Sequence, residues 1–269
     1  MTMPLDLLLV RHGESEGNDA ARRWYKESDA SGYRAMRGRH TAESRLTAQG
    51  VQQAQWAGRW LREEFPEPFG RLFVSDYYRA LESAGLLGLE GPWHREPSII
   101  ECQWGGAIDY IPEEEAAFQT WLKRRAKEVE LVKRNPFFYA PPSGESLAMV
   151  IYRLRGILDT LHRECSSGRV LAVVHGTVMQ ALQVILERIP PWEFKRRAHE
   201  RTQPGSEFPN AAILHYTRKN PEDPGQTAPY LDWMRIIRAH ANGAEVSPWR
   251  HIHRPKFTGA ELLAVVENR

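Results

Sequence analysis

The chain predicts an α/β fold, a three-layer αβα sandwich whose mostly parallel central sheet carries helices on both faces. Two uninterrupted apolar runs, Leu7-Leu8-Leu9-Val10 and Val170-Leu171-Ala172-Val173-Val174, have the composition of strands buried on both faces. Segments between them repeat apolar residues at three- and four-residue spacing, as expected of the helical crossovers that parallel strands require. Each run ends close to a histidine followed by glycine, His12-Gly13 and His175-Gly176. Ligands bind such sheets beyond the carboxyl ends of the strands, so both histidines fall where a site is expected.

The elements follow in order. Leu7 to Val10 runs into Arg11-His12-Gly13-Glu14-Ser15-Glu16-Gly17-Asn18, and an arginine and a histidine on a strand end make a place to bind phosphate and attack it. A polar, basic insertion from Asp19 to Arg45, poor in aliphatics, reads as a loop with short helical pieces beside the site. Thr47 N-caps a helix through about Phe65, with Val51, Ala54, Ala57 and Leu61 at helical spacing. Arg71 to Ser75 is the next strand, Tyr78 to Leu87 a helix, and Pro97 to Ile100 a third short extended run. A charged helix from about Glu113 to Lys133 has Phe118, Trp121, Leu122, Val129 and Val132 as its apolar side. The clearest helix, Glu145 to Cys165, keeps Leu147, Val150, Ile151, Leu154, Ile157, Leu158 and Leu161 on one stripe and leads into the second buried strand. A helix from about Val178 to Glu187, a basic loop through Arg201 and a strand near Ala211 to Tyr216 complete a domain of residues 1–220. Turn formers crowd Asn220 to Gln226. Residues 221–269, with a strand at Leu231 to Ile237 and a helix at Thr258 to Glu267, are too few for a core of their own and read as an appendage packed on the same domain.

A length of 269 residues suits one generous α/β domain. Lys and Arg number 36 against 34 Asp and Glu, and a net charge of +2 sets up no global field toward nucleic acid or an acidic membrane. The basic run Lys195, Arg196, Arg197 and Arg201 lies beside Trp192, but Glu193 and Glu200 interrupt it. It reads as a solvated helix face or a wall of an anionic substrate pocket, not as a nucleic-acid surface. No apolar run is long enough to span a bilayer, Met1 to Asp6 lacks a secretory signal pattern, and Cys102 and Cys165 give no disulfide framework. A cytoplasmic protein is the expectation. The sequence has no His-Glu-x-x-His, no Cys-x-x-Cys, no dense Asp cluster and no P-loop, so neither metal nor cofactor is expected.

Residues 11–18 resemble the signature of the histidine phosphatase superfamily, the phosphoglycerate mutase-like proteins of branch 1. Further segments resemble the family in its own order. They are Val74-Ser75-Asp76-Tyr77-Tyr78-Arg79-Ala80, which departs at Asp76, then Ile99-Ile100-Glu101-Cys102-Gln103-Trp104-Gly105 and Pro141-Pro142-Ser143-Gly144-Glu145-Ser146. Val173-Val174-His175-Gly176 and Phe208-Pro209-Asn210-Ala211-Ala212-Ile213 follow. The resemblance implies that His12 is the nucleophile, forming a phosphohistidine, and that Arg11, Asn18 and Arg79 hold phosphoryl oxygens. It implies that Glu101 is the general acid and that His175 donates to the transferring group alongside the Gly176 amide. The chemistry asks for such groups: a guanidinium forks onto phosphate oxygens, and a poor alkoxide leaving group needs a proton. The plain alternatives are that Arg79 pairs with Glu82 and that Glu101 is a loop carboxylate bonded to a nearby arginine. Glu145 and Ser146 read as architecture in the first turn of their helix.

The expected function is hydrolysis of a phosphomonoester, a small phosphorylated substrate, without metal. Mutases of the family carry Glu-Arg-His-Tyr-Gly around the acid. The run Glu101-Cys102-Gln103-Trp104-Gly105 departs from that and favours the phosphatase members. A mutase using the same nucleophile is the alternative, and an inactive binding scaffold is a third reading, against which stand the intact His12, Arg11, Arg79, Glu101 and His175. The Asp19 to Arg45 insertion, the Trp104 to Glu115 segment and the appendage are expected to cover the pocket. Arg22, Arg23, Arg37 and Arg39 either meet a second anionic group or are solvated loop charges. Oligomeric state stays open, a homodimer included.

Overall fold

A computed structural model describes residues 2–166, 168–200, 208–223 and 225–267 of the chain. Strand β1 (Asp6–Arg11) is followed by helices α1 (Glu16–Glu27), α2 (Ser31–Ala35) and α3 (Ala48–Glu64). Then come β2 (Arg71–Val74), α4 (Tyr78–Leu86), β3 (Trp93–Arg95), α5 (Gly106–Asp109), α6 (Glu115–Arg134) and α7 (Leu147–Glu164). The chain continues through β4 (Arg169–Val174), α8 (Gly176–Glu187), α9 (Pro191–Glu200), β5 (Ile213–Thr217), β6 (Trp233–His240), β7 (Gly243–Val246), β8 (Arg250–His251) and α10 (Gly259–Glu267).

The sheet order is β3-β2-β4-β1-β5-β6-β7, with β8 also on β6. Strands β3, β2, β4, β1 and β6 point one way, and β5, β7 and β8 the other. This is a mixed α/β fold with a mostly parallel central sheet flanked by helices. Strand side chains alternate between faces, so β1 feeds two cores at once. Leu7 and Leu9 pack with Val150, Leu154, Val178 and Leu182 of α7 and α8. Leu8 and Val10 pack with Ala57 and Leu61 of α3 and Ala80 and Ala84 of α4.

The local signals explain most boundaries. Thr47 caps α3 by accepting from the Gly50 amide at 3.1 Å, and Ser146 caps α7 by accepting from Met149 at 3.3 Å. Three segments differ from the sequence reading. Pro97–Ile99 is a 3-10 helix, not an extended run, because Pro97 opens the turn and the Glu96 side chain accepts from the Ser98 amide. The third strand of the parallel set is instead β3, whose Trp93-His94-Arg95 shows no apolar alternation because it lies on the sheet edge. The 19–45 insertion is largely helical: α1 opens on a Ser15/Asn18 capping box, and Ala20, Tyr33 and Met36 form a separate core with Phe118, Trp121 and Leu122 of α6. The insertion contributes only alanine, aromatic and methionine side chains to that core, which is why an aliphatic pattern does not reveal it.

The basic stretch after α8 is also helix as far as Glu200. Arg196 meets Glu193 and Glu200 one turn to either side, the spacing that stabilises a helix face, while Arg201 lies outside the described residues. Beyond the turn at Asn220, β6 pairs antiparallel with β5 and extends the main sheet. Its residues Met234 and Ile237 are buried in the two opposite cores.

Candidate active site

Neighbouring parallel strands carry the two histidines to one edge of the sheet. Arg11 is in register with Val174, and the His12 amide donates to the Val174 carbonyl at 3.0 Å. His12 and His175 therefore emerge side by side, their rings 5.1 Å apart at 58° and both buried. Nδ1 of His12 lies 2.7 Å from the Gly13 carbonyl, which can only accept, so the proton sits on Nδ1. Nε2 is then the nitrogen with the lone pair, and it accepts from Nε of Arg79 at 3.2 Å. Burial first, then the Arg79 and Arg11 guanidiniums, push the His12 pKa well below the usual imidazole range. His12 is held as a neutral imidazole with one defined nucleophilic nitrogen.

His175 is placed by Ser75, whose hydroxyl lies 2.7 Å from Nε2, while Nδ1 is buried with no protein hydrogen-bond partner among the described residues. Burial, then Arg79, His12 and Arg11, depress its pKa as well. The ring stands as N-cap of α8 without a side-chain capping bond. The first amides of α8, beginning at Gly176, thus have no side-chain acceptor from the cap and form a local positive end.

Arg11 and Arg79 frame the histidines. Arg79 is buried, its Nη1 donates to the Thr41 carbonyl at 2.9 Å, and its guanidinium lies 4.9 Å from the Tyr77 ring centre. Glu82 is not its partner, since that carboxylate accepts from Arg45 and from the Leu46 amide. Nη1 of Arg11 donates to the Phe208 carbonyl at 2.6 Å. Burial lowers both guanidinium pKa values, and the Glu101 carboxylate opposes the shift at each, which sets Glu101 within electrostatic reach of both.

Glu101 sits half-buried on the loop before α5, where Oε1 accepts from the Cys102 amide at 2.9 Å. Arg153 of α7 clamps the loop, donating to the carbonyls of Ser98, Ile100 (2.9 Å) and Glu101 (3.3 Å). Glu145 holds Arg153 in turn at 2.8 Å and also accepts from the Gln103 amide at 3.0 Å. Arg153 bonds Glu101 through the backbone carbonyl, whereas the plain alternative has an arginine on the carboxylate.

Asn18 comes to the same edge. Its carboxamide oxygen accepts from the Ser15 amide (3.2 Å) and from Asn210 (2.9 Å), and Asn210 also donates to the His12 carbonyl at 3.3 Å. His12, His175, Arg11, Arg79, Asn18, Glu101 and Gly176 are thus gathered at the carboxyl edge of β1 and β4. Ser75, Ser83, Arg153 and Asp109 are the supporting residues that the sequence reading did not assign. Ser83 accepts from the Gly13 amide at 3.0 Å, and Asp109 ties the Trp104 amide (2.9 Å) to the Thr41 hydroxyl (3.1 Å). Of these only Ser75 lies inside a segment that resembles the family, and its position next to a strand end is its one signal.

The insertion's arginines are engaged by acids: Arg22 and Arg23 by Asp19, Arg37 by Glu115, and Arg39 by Glu16 at 3.2 Å. Among the described residues no group of three or more His, Cys, Asp or Glu converges as a metal site. Nor is any described helix long and apolar enough to cross a membrane.

Residues 7–204 match the sequence profile of the histidine phosphatase superfamily (branch 1). The chain belongs to that superfamily. Among curated relatives, a 2,3-bisphosphoglycerate-dependent phosphoglycerate mutase of Xanthobacter autotrophicus is 30% identical, over 71% of this chain and 85% of its own. The 6-phosphofructo-2-kinase/fructose-2,6-bisphosphatase 1 of Mus musculus is 26% identical over 66% of this chain but only 32% of its own. Solved structures with the same fold include a mycobacterial glucosyl-3-phosphoglycerate phosphatase with inorganic phosphate, at TM-score 0.54 and 21% identity, covering 78% of this chain and 88% of that one. The alpha-ribazole phosphatase of Shigella flexneri superposes at TM-score 0.56 with 20% identity, covering 84% and 95%. The superfamily thus brings both mutases and phosphatases into comparison, and its general mechanism runs through phosphohistidine.

Proposed function

We propose that the chain hydrolyses phosphomonoesters of small molecules through a phosphohistidine on His12, without a metal. The observation that carries this reading is the committed tautomer of His12, Nδ1 to the Gly13 carbonyl and Nε2 beside Arg79. A neutral nitrogen fixed in that way can attack without first losing a proton.

When a phosphoryl group enters, the Arg79 N–H passes from His12 to a phosphoryl oxygen, and Arg11, the Asn18 amide, the His175 ring and the Gly176 amide take the others. With the Tyr77 amide donating into the Ser75 hydroxyl at 3.4 Å, the Ser75 proton is directed to Nε2 of His175, leaving Nδ1–H for the phosphoryl oxygen. The His12 Nε2–P bond forms as the P–O bond to the leaving group breaks, and protonated Glu101 gives its proton to the departing oxygen. Water then attacks phosphorus, Glu101 takes its proton, and the N–P bond breaks to release inorganic phosphate. Phosphoryl transfer spreads charge over the equatorial oxygens, so aimed donors supply the stabilisation a metal would otherwise give.

A mutase is the second reading, favoured by the 30% identity to a phosphoglycerate mutase. Two features support hydrolysis over it. The residues after Glu101 are Cys102 and Gln103 where mutases have Arg and His, and the insertion's arginines are paired with acids that would have to release them to a second phosphate.

We assign residues 1–220 and 221–269 to one structural unit, with β6 continuing the sheet. The experiment is phosphate release from simple monoesters, together with conversion of 3-phosphoglycerate in the presence of a bisphosphate primer. Release without a primer supports the phosphatase. Primed isomerisation with little release makes the chain a mutase.

A further inference from the structure

We infer that the group carrying the phosphate is a bulky, uncharged and largely apolar alcohol, seated in a cavity that opens beside the phosphoryl site. This rests on the phosphatase reading above. The cavity has a volume of about 460 Å³, and its wall starts at Cys102, next to Glu101, and at Thr177, next to Gly176. It therefore borders the Glu101 loop and the first turn of α8, the sides toward which the leaving oxygen would point on the phosphatase reading, and His12, Arg11 and Arg79 are not among its lining residues.

Its surface is mostly hydrocarbon and aromatic: Trp104, Val132, Leu147, Phe194 and Ala198 line it. The charges along the wall are matched within the protein. Lys133 pairs with Glu130 at 2.6 Å and Glu145 with Arg153 at 2.8 Å. The polar tips of two further wall residues have partners too, as the Tyr139 hydroxyl donates to Glu128 at 2.5 Å and His199 Nε2 to the Lys133 carbonyl at 3.1 Å. Among the described residues, a carboxylate or second phosphate entering here would find no dedicated cation to offset the water it loses. An apolar ring system would gain burial, and the volume is that of pockets for drug-sized ligands, far more than a three-carbon acid fills. Gln180, one turn after Thr177 on α8, is the wall's neutral polar group for a hydroxyl or amide of such an alcohol.

The test compares phosphate release from 2-(2-naphthyl)ethyl phosphate and ethyl phosphate, whose leaving alcohols have similar acidity, so that their kcat/KM ratio reads the cavity alone. The expected ratio is at least tenfold in favour of the naphthyl ester. Ala198→Trp and Val132→Trp, which fill the cavity from two walls, should each cut that ratio at least tenfold; a ratio is unaffected by partial misfolding. A wild-type ratio near one, or a ratio unmoved by both folded variants, overturns the inference while leaving the phosphatase reading intact. Folded protein that releases phosphate from neither ester overturns the phosphatase reading itself, and this inference with it.

Discussion

Nε of Arg79 donates to Nε2 of His12 across 3.2 Å while the opposite nitrogen of that ring is committed to the Gly13 carbonyl. On the proposed reading, the arginine therefore marks the nitrogen that attacks. His12→Gln should abolish the acid-labile, base-stable phosphoryl label that rapid quenching traps on wild type. Arg79→Lys keeps the charge but loses the fork, and phosphate release should fall about 10²–10³-fold, as for loss of one aimed transition-state donor. Undiminished turnover in His12→Gln would place the nucleophile elsewhere.

If Glu101 supplies the leaving-group proton, its removal must hurt poor leaving groups most. Glu101→Gln should slow alkyl phosphates by about 10²–10⁴-fold and p-nitrophenyl phosphate far less, since nitrophenolate needs no proton. Arg153→Lys should show a weaker form of the same split, because Arg153 acts on Glu101 through its loop. Equal losses on both esters would assign these residues to folding or to phosphate binding instead.

Burial and the neighbouring guanidiniums hold the His12 and His175 pKa values well below the ordinary imidazole value, so the folded chain stays unprotonated at sites that the unfolded chain protonates below about pH 6.5. Between pH 6.5 and 5.5 the unfolded state binds more protons, and stability must drop as the pH falls, by up to about 1.4 kcal/mol per pH unit for each histidine. The slope from these two groups is half its maximum at about pH 6.5 and fades above about pH 7.5. Urea unfolding across pH 5.5–7.5 measures it, and the His12→Gln, His175→Gln double variant should be flatter by about two protons. A slope unchanged in that variant would mean that other groups, such as buried His215, whose pKa is also lowered by burial, carry the dependence.

Gly13 and Gly176 follow the two histidines but differ in what surrounds them. A Cβ on Gly13 would stand 2.2 Å from the Gly50 carbonyl oxygen, backbone that cannot give way, whereas one on Gly176 meets the Arg11 guanidinium at an ordinary 3.6 Å. Gly13→Ala should cost about 3 kcal/mol in denaturant unfolding, and Gly176→Ala under about 1 kcal/mol. The reverse order would contradict the close approach of the 13–14 loop to α3.

What the sequence made legible were the parts fixed by burial on both faces or by a short local rule. β1 and β4 are apolar at each inner position, and α3 and α7 carry a cap and a stripe, so they emerge within two residues of their bounds. Opaque were elements whose stabilising partners lie far away. β3 is an edge strand of polar residues, and α1 buries its small face against aromatics of α6 a hundred residues on. The site divides in the same way. The residues with reactive or charged side chains stood in short motifs, but the Arg153 clamp joins α7 to a loop some fifty residues earlier and leaves no local trace.

The pairing of Arg11 with Val174 puts the two histidines one step past the same rung of the sheet. A slip of one residue between β1 and β4 would carry His12 about 3.3 Å along the strand and turn its side chain to the opposite face. On the phosphatase reading, the catalytic pair is thereby tied to the central pairing of the whole fold, because parting β1 from β4 parts the histidines. Loss of turnover in rising denaturant should then track the global unfolding curve, which makes activity itself a gauge of cooperativity.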